Sequence, residues 1–550
     1  MKTKYILMSV MCAIALTSCK DYLTEEYRGG TQSGSQINET VDAIPARINS
    51  AVSGMYAKLG TPDGYFGTGR ADDAGFPAIA LSLDLNSGDM TNIVSGYDWF
   101  SVAQEYSDRT PNYANPRLRS GLLYNIIYAT AEVIQAVPSD TDNPELKAKR
   151  GQAKAIRAWA YLNMVPYFQF RYAGNETKPT VPIMADEKTE MDPLNNPRAP
   201  MKEMYEYIIA DLTDAIKDLD GYKRENKGVI DQQVAYGIRA RAYLNMEKWK
   251  EAAADAEKAV AGYTPYAISE LTAPGFFDAN DHNWMWAVLI PAAVAGQDLA
   301  TWPSQLGSFS GNSYVAYAGI WRSINILLWN KIPKTDVRRA WWLDENKQSP
   351  YLDGLTWTDD AQGITYRGQE IVDAEIADIK VKMDAFANVK FGQRSGVGSA
   401  YNDGDWCLMR AEEMILIQAE ATAKAGDLAK GKSILESFVK TFRDPSFVST
   451  AASVEDFSNE VWLQRRIELW GEGFAQSDKM RLGKNIVRFI PGTPTNVDED
   501  YRFNLAANDP WLLMRFTQTE LNGNSKVEQN TGGTQPKSGD GGSLRDGVTD

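Results

Sequence analysis

The stretch IRAWAYLNM at residues 156–164 returns almost unchanged as IRARAYLNM at residues 238–246. Eight of the nine positions are identical across a separation of 82 residues. Self-similarity of this kind is typical of proteins built from repeated helical units. The two copies therefore predict a fold in which similar helices stack on one another.

Residues that follow the second copy read EKWKEAAADAEKAV, and they are similar to a tetratricopeptide repeat. Small side chains stand where two helices would cross closely, and aromatic side chains stand where a turn would be filled. The positions concerned are Ala240, Ala242, Tyr243, Trp249, Ala252 and Ala259. A third copy, AEATAKAGDLAKGKSILESF, runs from Ala419 to Phe438, with Gly426 and Asp427 marking its turn.

Apolar residues recur with a helical period in several other stretches, so we predict a mostly α fold of paired helices that stack on one another. These stretches cover residues 42–59, 116–137, 144–170, 200–220 and 454–474. The helices form an N-terminal set at about 42–262 and a C-terminal set at about 406–484. Leu463, Ile467, Trp470 and Phe474 share one face of the last stretch.

The helical period is lost between about residues 263 and 403, where Gly and Pro are frequent and eight of the fifteen tryptophans occur. This region is predicted to be an irregular insertion, with short strands near 285–290 and 387–391. Residues 531–550 begin TGGTQPKSGDGG, a composition that predicts a disordered tail.

The N-terminus has the order of a secretory signal, with Lys2 and Lys4 before an apolar run of twelve residues and small residues before Cys19. A bilayer-spanning helix needs about 20 residues, so the run is too short to span a membrane. The ending Leu-x-Ser-Cys resembles the lipobox of bacterial lipoproteins, in which residues 1–18 are removed and Cys19 is acylated. The alternative is an ordinary signal with an incidental cysteine.

The acidic residues after Cys19 resemble export signals of Bacteroidetes surface lipoproteins; they are Asp21, Glu25 and Glu26. That resemblance implies a lipid-anchored protein on the outer face of the outer membrane. Residues 19–40 would then be the lipidated cysteine and a polar linker.

Charge and composition exclude several function classes. The chain carries 57 Lys and Arg against 72 Asp and Glu, so removing Lys2 and Lys4 with the signal leaves 55 − 72 = −17. Nucleic acids and anionic lipids would be repelled. A single histidine, His282, leaves little room for a catalytic triad or a multi-histidine metal site. We expect neither metal nor cofactor, and we expect Cys407 to be a small core residue.

Two motifs suggest chemistry but have simpler explanations. Gly426, Gly431, Lys432 and Ser433 match a phosphate-binding loop, yet a helix instead of a strand precedes the first glycine. Glu468 and Glu472 lie one helical turn apart, as paired carboxylates of a glycosidase could. Neighbouring arginines would keep such carboxylates ionised, which favours structural ion pairs.

Four segments, in this order, resemble the SusD/RagB family of outer-membrane nutrient-binding lipoproteins. They are RAPMKEMYEYIIADLTDAIKDL (198–219), WCLMRAEEMILIQAEATAKAGDLAKG (406–431), RRIELWGEGFAQSDKMRLGK (465–484) and FTQTELNGNSKVEQN (516–530). The resemblance covers residues 19–530 and implies a mostly α, SusD-like fold within one domain, residues 41–530. In that fold, four tetratricopeptide-like helix pairs form a right-handed superhelical stack that holds an irregular ligand-binding portion.

The same resemblance implies a partner and a function. The partner is a SusC-like TonB-dependent outer-membrane transporter, over which the lipoprotein sits as a lid. The function is capture of oligosaccharide without catalysis. Two alternatives stay open: capture of peptide, as in some relatives, and a cell-surface glycosidase.

Exposed aromatic rings beside polar groups suit glycan capture, because a sugar stacks its C–H face on a ring while its hydroxyls take hydrogen bonds. In the family, ligand contacts tend to come from an early loop and from the mid-chain insertion. The ring and arginine candidates are Tyr97 and Trp99 in the early loop and Trp302, Tyr314, Tyr317, Trp321 and Arg322 in the insertion. Candidate polar helpers are Asp72, Asp73 and Asn92. The alternative is that these tryptophans form the core of the insertion.

Overall fold

The structure, a computed structural model, describes residues 40–60, 66–67, 69–96, 98–184, 195–290 and 299–550. The predicted signal, the predicted acylation site Cys19, the acidic residues after it and nearly all of the linker lie outside these ranges, as does Tyr97. Within them, no helix combines the length and the apolar character needed to cross a bilayer.

Helices dominate the described part of the chain. Those before the insertion are Asn49–Ala57 (α1), Gly75–Ser87 (α2), Ser101–Gln104 (α3), Ala114–Ala136 (α4), Pro144–Phe168 (α5), Met201–Asp218 (α6), Gln232–Asn245 (α7) and Trp249–Val260 (α8). Those of the insertion are Trp302–Leu306 (α9), Tyr314–Ala318 (α10), Ile326–Trp329 (α11) and Gln369–Asp373 (α12). Those after it are Ala411–Lys424 (α13), Leu428–Phe442 (α14), Val454–Glu468 (α15), Ala475–Leu482 (α16) and Gln518–Gly523 (α17).

Short strands form two-stranded antiparallel sheets, which pair β1 with β5, β2 with β3, β4 with β8 and β6 with β7. Their bounds are Met90–Thr91 (β1), Pro179–Pro182 (β2), Arg198–Pro200 (β3), Trp284–Val288 (β4), Ser323–Ile324 (β5), Thr356–Asp359 (β6), Ile364–Arg367 (β7) and Trp406–Arg410 (β8).

The repeated sequence forms helical hairpins, as predicted. Its second copy lies in α7, which packs on α8, and its first copy lies in α5, which packs on α6. Ala240 and Ala242 are fully buried, which is the close approach that small residues permit. α8 also packs on α13, so the two helical sets are joined. The closer likeness to tetratricopeptide repeats stays a prediction.

The turn at Gly426 is confirmed, since this residue adopts a positive φ of 109° directly after α13 and before α14. Asp427 caps α14 by accepting a hydrogen bond from the Lys430 backbone N–H at 2.9 Å. A helix therefore precedes the glycine, and the loop is a connection between helices.

The predicted helix 454–474 is too long, because α15 ends at Glu468. Gly471 and Gly473 adopt positive φ values of 81° and 88°, which interrupt the helix. A β-carbon on Gly473 would lie 2.6 Å from Cβ of Ala80, so glycine also permits close packing on α2.

α2 lies at the centre of the molecule, and every one of its 13 residues is buried. A helix that is apolar on all sides is stable only inside a protein. Asp84 of α2 accepts hydrogen bonds from the backbone N–H groups of Gly473, at 3.0 Å, and Ala475, at 3.3 Å. These contacts connect segments that are about 390 residues apart in sequence.

The strand predicted near 285–290 in the insertion is present as β4, which pairs with β8. Near 387–391 the structure has isolated bridges, such as Ser323 with Ala387, so a regular strand there was wrongly predicted. Tryptophans of the insertion pack on one another and on the C-terminal set, for instance Trp342 against Trp341 at 6.0 Å and against Trp470 at 5.4 Å between ring centroids.

The C-terminal segment is packed, so the predicted disorder of residues 531–550 is wrong. Asp546 is buried, and its carboxylate accepts a hydrogen bond from Arg466 Nη1 at 3.0 Å. The Asn504 backbone N–H donates to the Asp540 carbonyl at 2.9 Å. Composition misleads here because backbone hydrogen bonds and one buried ion pair hold a segment with few apolar residues.

Candidate ligand-binding site

Among the described residues of the loop between β1 and α3, one large aromatic side chain is presented to solvent. Trp99 is 44% exposed, whereas its neighbours Asp98 and Phe100 are buried. The buried residues on both sides of Trp99 fix the loop, so the exposed ring has a defined position.

A buried arginine of the insertion fixes this loop. Arg322 donates from both terminal nitrogens to Asp98, at 2.7 and 2.9 Å, and from Nη1 to Asn92 Oδ1 at 2.8 Å. Its Nε donates to the Gln305 carbonyl at 3.1 Å. A bidentate guanidinium–carboxylate pair restricts orientation as well as distance. Arg322, Asp98 and Asn92 therefore position the loop of Trp99.

Arg70 packs against the Trp99 ring, with its guanidinium carbon 4.8 Å from the ring centroid. Asp72 orients this guanidinium by accepting hydrogen bonds from Nε at 3.0 Å and Nη2 at 2.8 Å. Partial burial and the negative charges of Asp108 and Asp72 raise the pKa of the nearby Tyr113, so its phenol stays protonated. The result is an indole with an oriented guanidinium packed on it at the surface.

Hydrogen bonds from α4 and from Phe66 fix the turn that carries Asp72 and Asp73. Arg119 of α4 donates from Nη1 to the Asp72 carbonyl at 3.2 Å, and Asp73 Oδ2 accepts from the Phe66 backbone N–H at 2.9 Å. Both aspartates are buried. They therefore orient Arg70 and Phe66 and do not face solvent themselves.

The insertion contributes exposed tyrosines. Tyr317 of α10 is 60% exposed, Tyr314 on the same helix is half-buried, and Tyr401 is 55% exposed. Asn402 Nδ2 donates to the Asn312 carbonyl at 3.2 Å, which joins the loop of Tyr401 to the segment before α10.

The early loop and the insertion meet beneath the surface. Ala71, Phe100 and Trp302 line one small apolar cavity, together with residues of α2. With the Arg322–Asp98 pair, this contact makes the two regions singled out from the sequence adjacent in space.

Two family models match the sequence. One, described as starch-binding associating with outer membrane and SusD-like, matches residues 81–244, and the model of the SusD family matches residues 358–537.

The chain belongs to the SusD family.

Solved structures of SusD proteins share its fold. A SusD-like carbohydrate-binding protein from Bacteroides vulgatus is 22% identical with a TM-score of 0.68, covering 87% of this chain and 96% of its own. A SusD superfamily protein from Bacteroides thetaiotaomicron is 20% identical with a TM-score of 0.64, covering 88% and 98%. A laminarin-binding SusD-like protein is 18% identical with a TM-score of 0.58, covering 88% and 98%. No functionally curated protein matches the sequence.

Several predicted contact residues of this SusD protein are inside it. Trp321 is 1% exposed and donates from Nε1 to the Lys382 carbonyl at 2.8 Å. Trp302 is buried against Phe391 and Trp406 and donates from Nε1 to the Gly404 carbonyl at 2.7 Å. Their expected exposure, and that of Arg322, is wrong, because partners distant in sequence cover them.

Residues that the sequence prediction missed include Arg70 and Tyr401. Arg70 stands two positions before Asp72, and no periodicity marks it. An aromatic flanked by Gly and Asn, as in GSAYNDG around Tyr401, is a weak signal for an exposed loop ring. A search for basic residues near the predicted polar helpers would have found Arg70.

The carboxylate pair of this SusD protein forms structural ion pairs, as predicted, but its partners are Arg410 and Arg443. The sequence neighbours Arg465 and Arg466, which were expected to hold it, pair with Asp478 and Asp89 instead. Burial alone would raise the pKa of Glu468, yet Arg443 and Arg410 hold that pKa well below its usual range. Burial would also raise the pKa of Glu472, but the positive charges of Arg410 and Lys390 outweigh this effect and lower that pKa. An acid that stays ionised cannot donate the proton that glycosidic cleavage requires.

His282 and Cys407 also have structural surroundings. His282 Nδ1 lies 2.9 Å from the Thr264 carbonyl and its Nε2 lies 3.0 Å from Glu270 Oε1, in an exposed loop. Cys407 is buried, and burial raises the pKa of its thiol. The thiol is therefore protonated and weakly nucleophilic.

Proposed function

We propose that this protein captures neutral oligosaccharide at the outer face of the outer membrane and delivers it, unaltered, to a SusC-like TonB-dependent transporter. The observation that carries the proposal is the pair formed by Trp99 and Arg70. An exposed indole gives a sugar ring an apolar surface to stack on, and the guanidinium packed over the indole ring offers donors to the hydroxyls.

The rest of the surface supports this assignment. The insertion presents further aromatic rings to solvent, those of Tyr317 and Tyr401. The net charge of −17 that remains after the signal is removed disfavours anionic ligands. Solved relatives that bind carbohydrate, among them a laminarin-binding protein, have the same fold.

Binding without catalysis is favoured because the pair of closely spaced carboxylates singled out from the sequence is held ionised in ion pairs. The paired carboxylates of Glu468 and Glu472 both form buried ion pairs with Arg410, at 2.7 and 2.8 Å. A role as nutrient-binding subunit needs stable attachment near the transporter. Acylation of Cys19 with two or more chains would supply it.

The test is calorimetric titration of the mature chain, from residue 19, with a panel of neutral glycans, including laminarin, and with peptides. Each mixture is then analysed for products. We expect heat of binding with at least one glycan and no change in its chain length. Binding to peptides alone would replace the proposed ligand class, and conversion of a bound glycan would make the protein an enzyme.

A further inference from the structure

We propose that the site continues from Trp99 along the exposed face of α4 into the groove between α4 and α17, so that an extended oligosaccharide is bound along its length. The inference rests on the proposed function and specifies its substrate class as a chain of several sugars.

One face of α4 and the residue before it carry a row of ring and polar side chains. The row consists of Tyr113, Arg117, Ser120, Tyr124 and Tyr128. Spacings of three and four residues place side chains on the same face of a helix. From Tyr113 to Tyr128 the row is about 22 Å long, at about 1.5 Å per residue. It is thus much longer than one sugar ring.

The beginning of this row touches the Trp99 site. The row begins with Tyr113, which is 37% exposed and directly precedes α4. One turn further, the guanidinium carbon of Arg117 lies 4.1 Å from the Phe66 ring centroid. The Phe66 backbone in turn donates to Asp73, next to Asp72. The row and the Trp99 site are therefore one continuous surface.

The far end of the row opens into a groove of about 550 Å³. Tyr124 and Tyr128 line one wall, and Phe516, Glu520 and Asn524 line the other. This volume is within the range of about 300–1,000 Å³ that small-molecule sites occupy.

The walls of the groove are held in place by hydrogen bonds. The Tyr124 hydroxyl donates to the Pro182 carbonyl at 2.8 Å, and Asn524 Nδ2 donates to the Asn196 carbonyl at 2.7 Å. The guanidinium of Arg198 lies 4.8 Å from the Phe516 ring centroid. The groove is thus largely preformed.

The chemistry of the row fits an uncharged polyhydroxyl chain. Between Arg117 and Glu132, a stretch that the structure describes throughout, α4 has one charged residue, Arg119, and it is buried. Tyr128 is 60% exposed. Gly121 also lines the groove, and because glycine has no side chain it leaves room for a ligand beside the helix, although glycine weakens a helix interior. Flat rings between small and amide side chains offer stacking and hydrogen bonds, and the charged residues that line the groove, Arg117 and Glu520, are of opposite sign.

The test compares short and long oligosaccharides cut from the panel glycan that binds, with laminarin fragments as the first pair. Affinities are measured by calorimetry for the mature chain and for Tyr128→Ala. We expect the wild type to bind long fragments more tightly than short ones. Losing one stacking ring lowers the affinity for long fragments by about fivefold to tenfold and leaves the short ones unchanged.

Two further variants control the experiment. Thr519→Trp, at an exposed position on the opposite wall, should obstruct the groove and reproduce the selective loss. Tyr236→Ala, on α7 and outside the groove, should change neither affinity.

Each outcome decides one question. Equal affinities of the wild type for short and long fragments, or equal losses for both in Tyr128→Ala, would overturn the extended site while leaving glycan capture at Trp99 standing. Failure of the wild type to bind any glycan would overturn the proposed function, and the extended site with it.

Discussion

Asp98 accepts hydrogen bonds from both terminal nitrogens of Arg322, although the two residues are 224 positions apart in the sequence. Neither side chain is exposed to solvent. The ion pair joins the loop of Trp99 to the insertion from the inside. A contact that ligand never reaches therefore determines where the exposed ring stands.

Arg322→Met should destabilise the protein strongly, because it leaves the Asp98 carboxylate buried without a charged partner. Breaking a buried pair in this way costs about 3–5 kcal/mol of unfolding free energy. Urea denaturation measures the loss. Lys147→Met, which breaks an exposed pair with Asp142, is the matched control and should have almost no effect, because water screens those charges. Equal stability of Arg322→Met and wild type would refute the structural role.

Trp99→Ala and Trp321→Ala should have opposite effects. Removing the exposed Trp99 ring should lower glycan affinity by roughly thirtyfold, equivalent to about 2 kcal/mol of lost apolar contact, while the urea midpoint stays unchanged. Removing Trp321 should cost about 3–5 kcal/mol of stability, since it empties a buried site. A large loss of stability in Trp99→Ala would assign that ring to the core instead.

Asp84→Asn should change how stability depends on pH. Burial is the main cause that raises the pKa of Asp84 to about 7; Asp89 and Glu472 add to it, and the N–H groups of Gly473 and Ala475 oppose it. An unfolded aspartate has a pKa of about 3.9. The folded state keeps a proton that the unfolded state loses between these values, so this carboxyl makes wild-type stability fall as pH rises across that window.

Asparagine does not titrate, so Asp84→Asn should gain stability relative to the wild type as pH rises from about 4 to about 7. Urea unfolding of both proteins at several pH values in this window measures the difference. A difference that stays constant with pH would mean that Asp84 does not titrate there.

Asp546→Asn should weaken the attachment of the C-terminal segment. Burial opposes ionisation, but Arg466 and Lys479 lower the pKa of Asp546 below its usual range. The ion pair thus stabilises the fold above the unfolded pKa of about 3.9, and this contribution is lost as pH falls below it. We expect a loss of about 1–3 kcal/mol at neutral pH, seen in urea unfolding, that shrinks below about pH 4. Asp540→Asn, at an exposed position of the same segment, serves as the control, and an equal loss there would discount the ion pair.

Cys19→Ala should release the protein from the membrane fraction of the cells that produce it. The proposed acyl chains are the attachment, and each buried methylene contributes about 0.8 kcal/mol to it. Fractionation and immunoblotting measure the distribution. Cys12→Ala, within the predicted signal, should leave attachment intact. A Cys19→Ala protein that stays with the membrane would rule out the lipid anchor.

Helices could be predicted because their pattern is local. α5 spans Pro144–Phe168 against a prediction of 144–170, since its apolar period and its Asn143 cap are both written in adjacent residues. The end of α15 was missed because Gly471 and Gly473 stop the helix although the apolar period continues through them.

The site could be predicted by region and only partly by residue. The sequence places rings in the early loop and the insertion, and both regions do meet in the structure. Which ring is exposed depends on remote partners, such as the Lys382 carbonyl that covers Trp321. Arg70 was missed for the same reason, since its importance comes from a ring 29 positions away in the sequence.

The wholly buried α2 has a consequence for how the chain folds. Its hydrogen-bond partners lie late in the sequence. Lys479 donates to the Ser87 carbonyl at 2.8 Å, and the backbone N–H groups of Gly473 and Ala475 donate to Asp84. A refolding or nascent chain therefore exposes a mostly apolar helix, together with its Asp84 carboxyl, until the C-terminal helices are present. Contacts of such long range form slowly, and self-association competes with them meanwhile. Fragments that end before α16 should consequently aggregate instead of forming a smaller soluble domain.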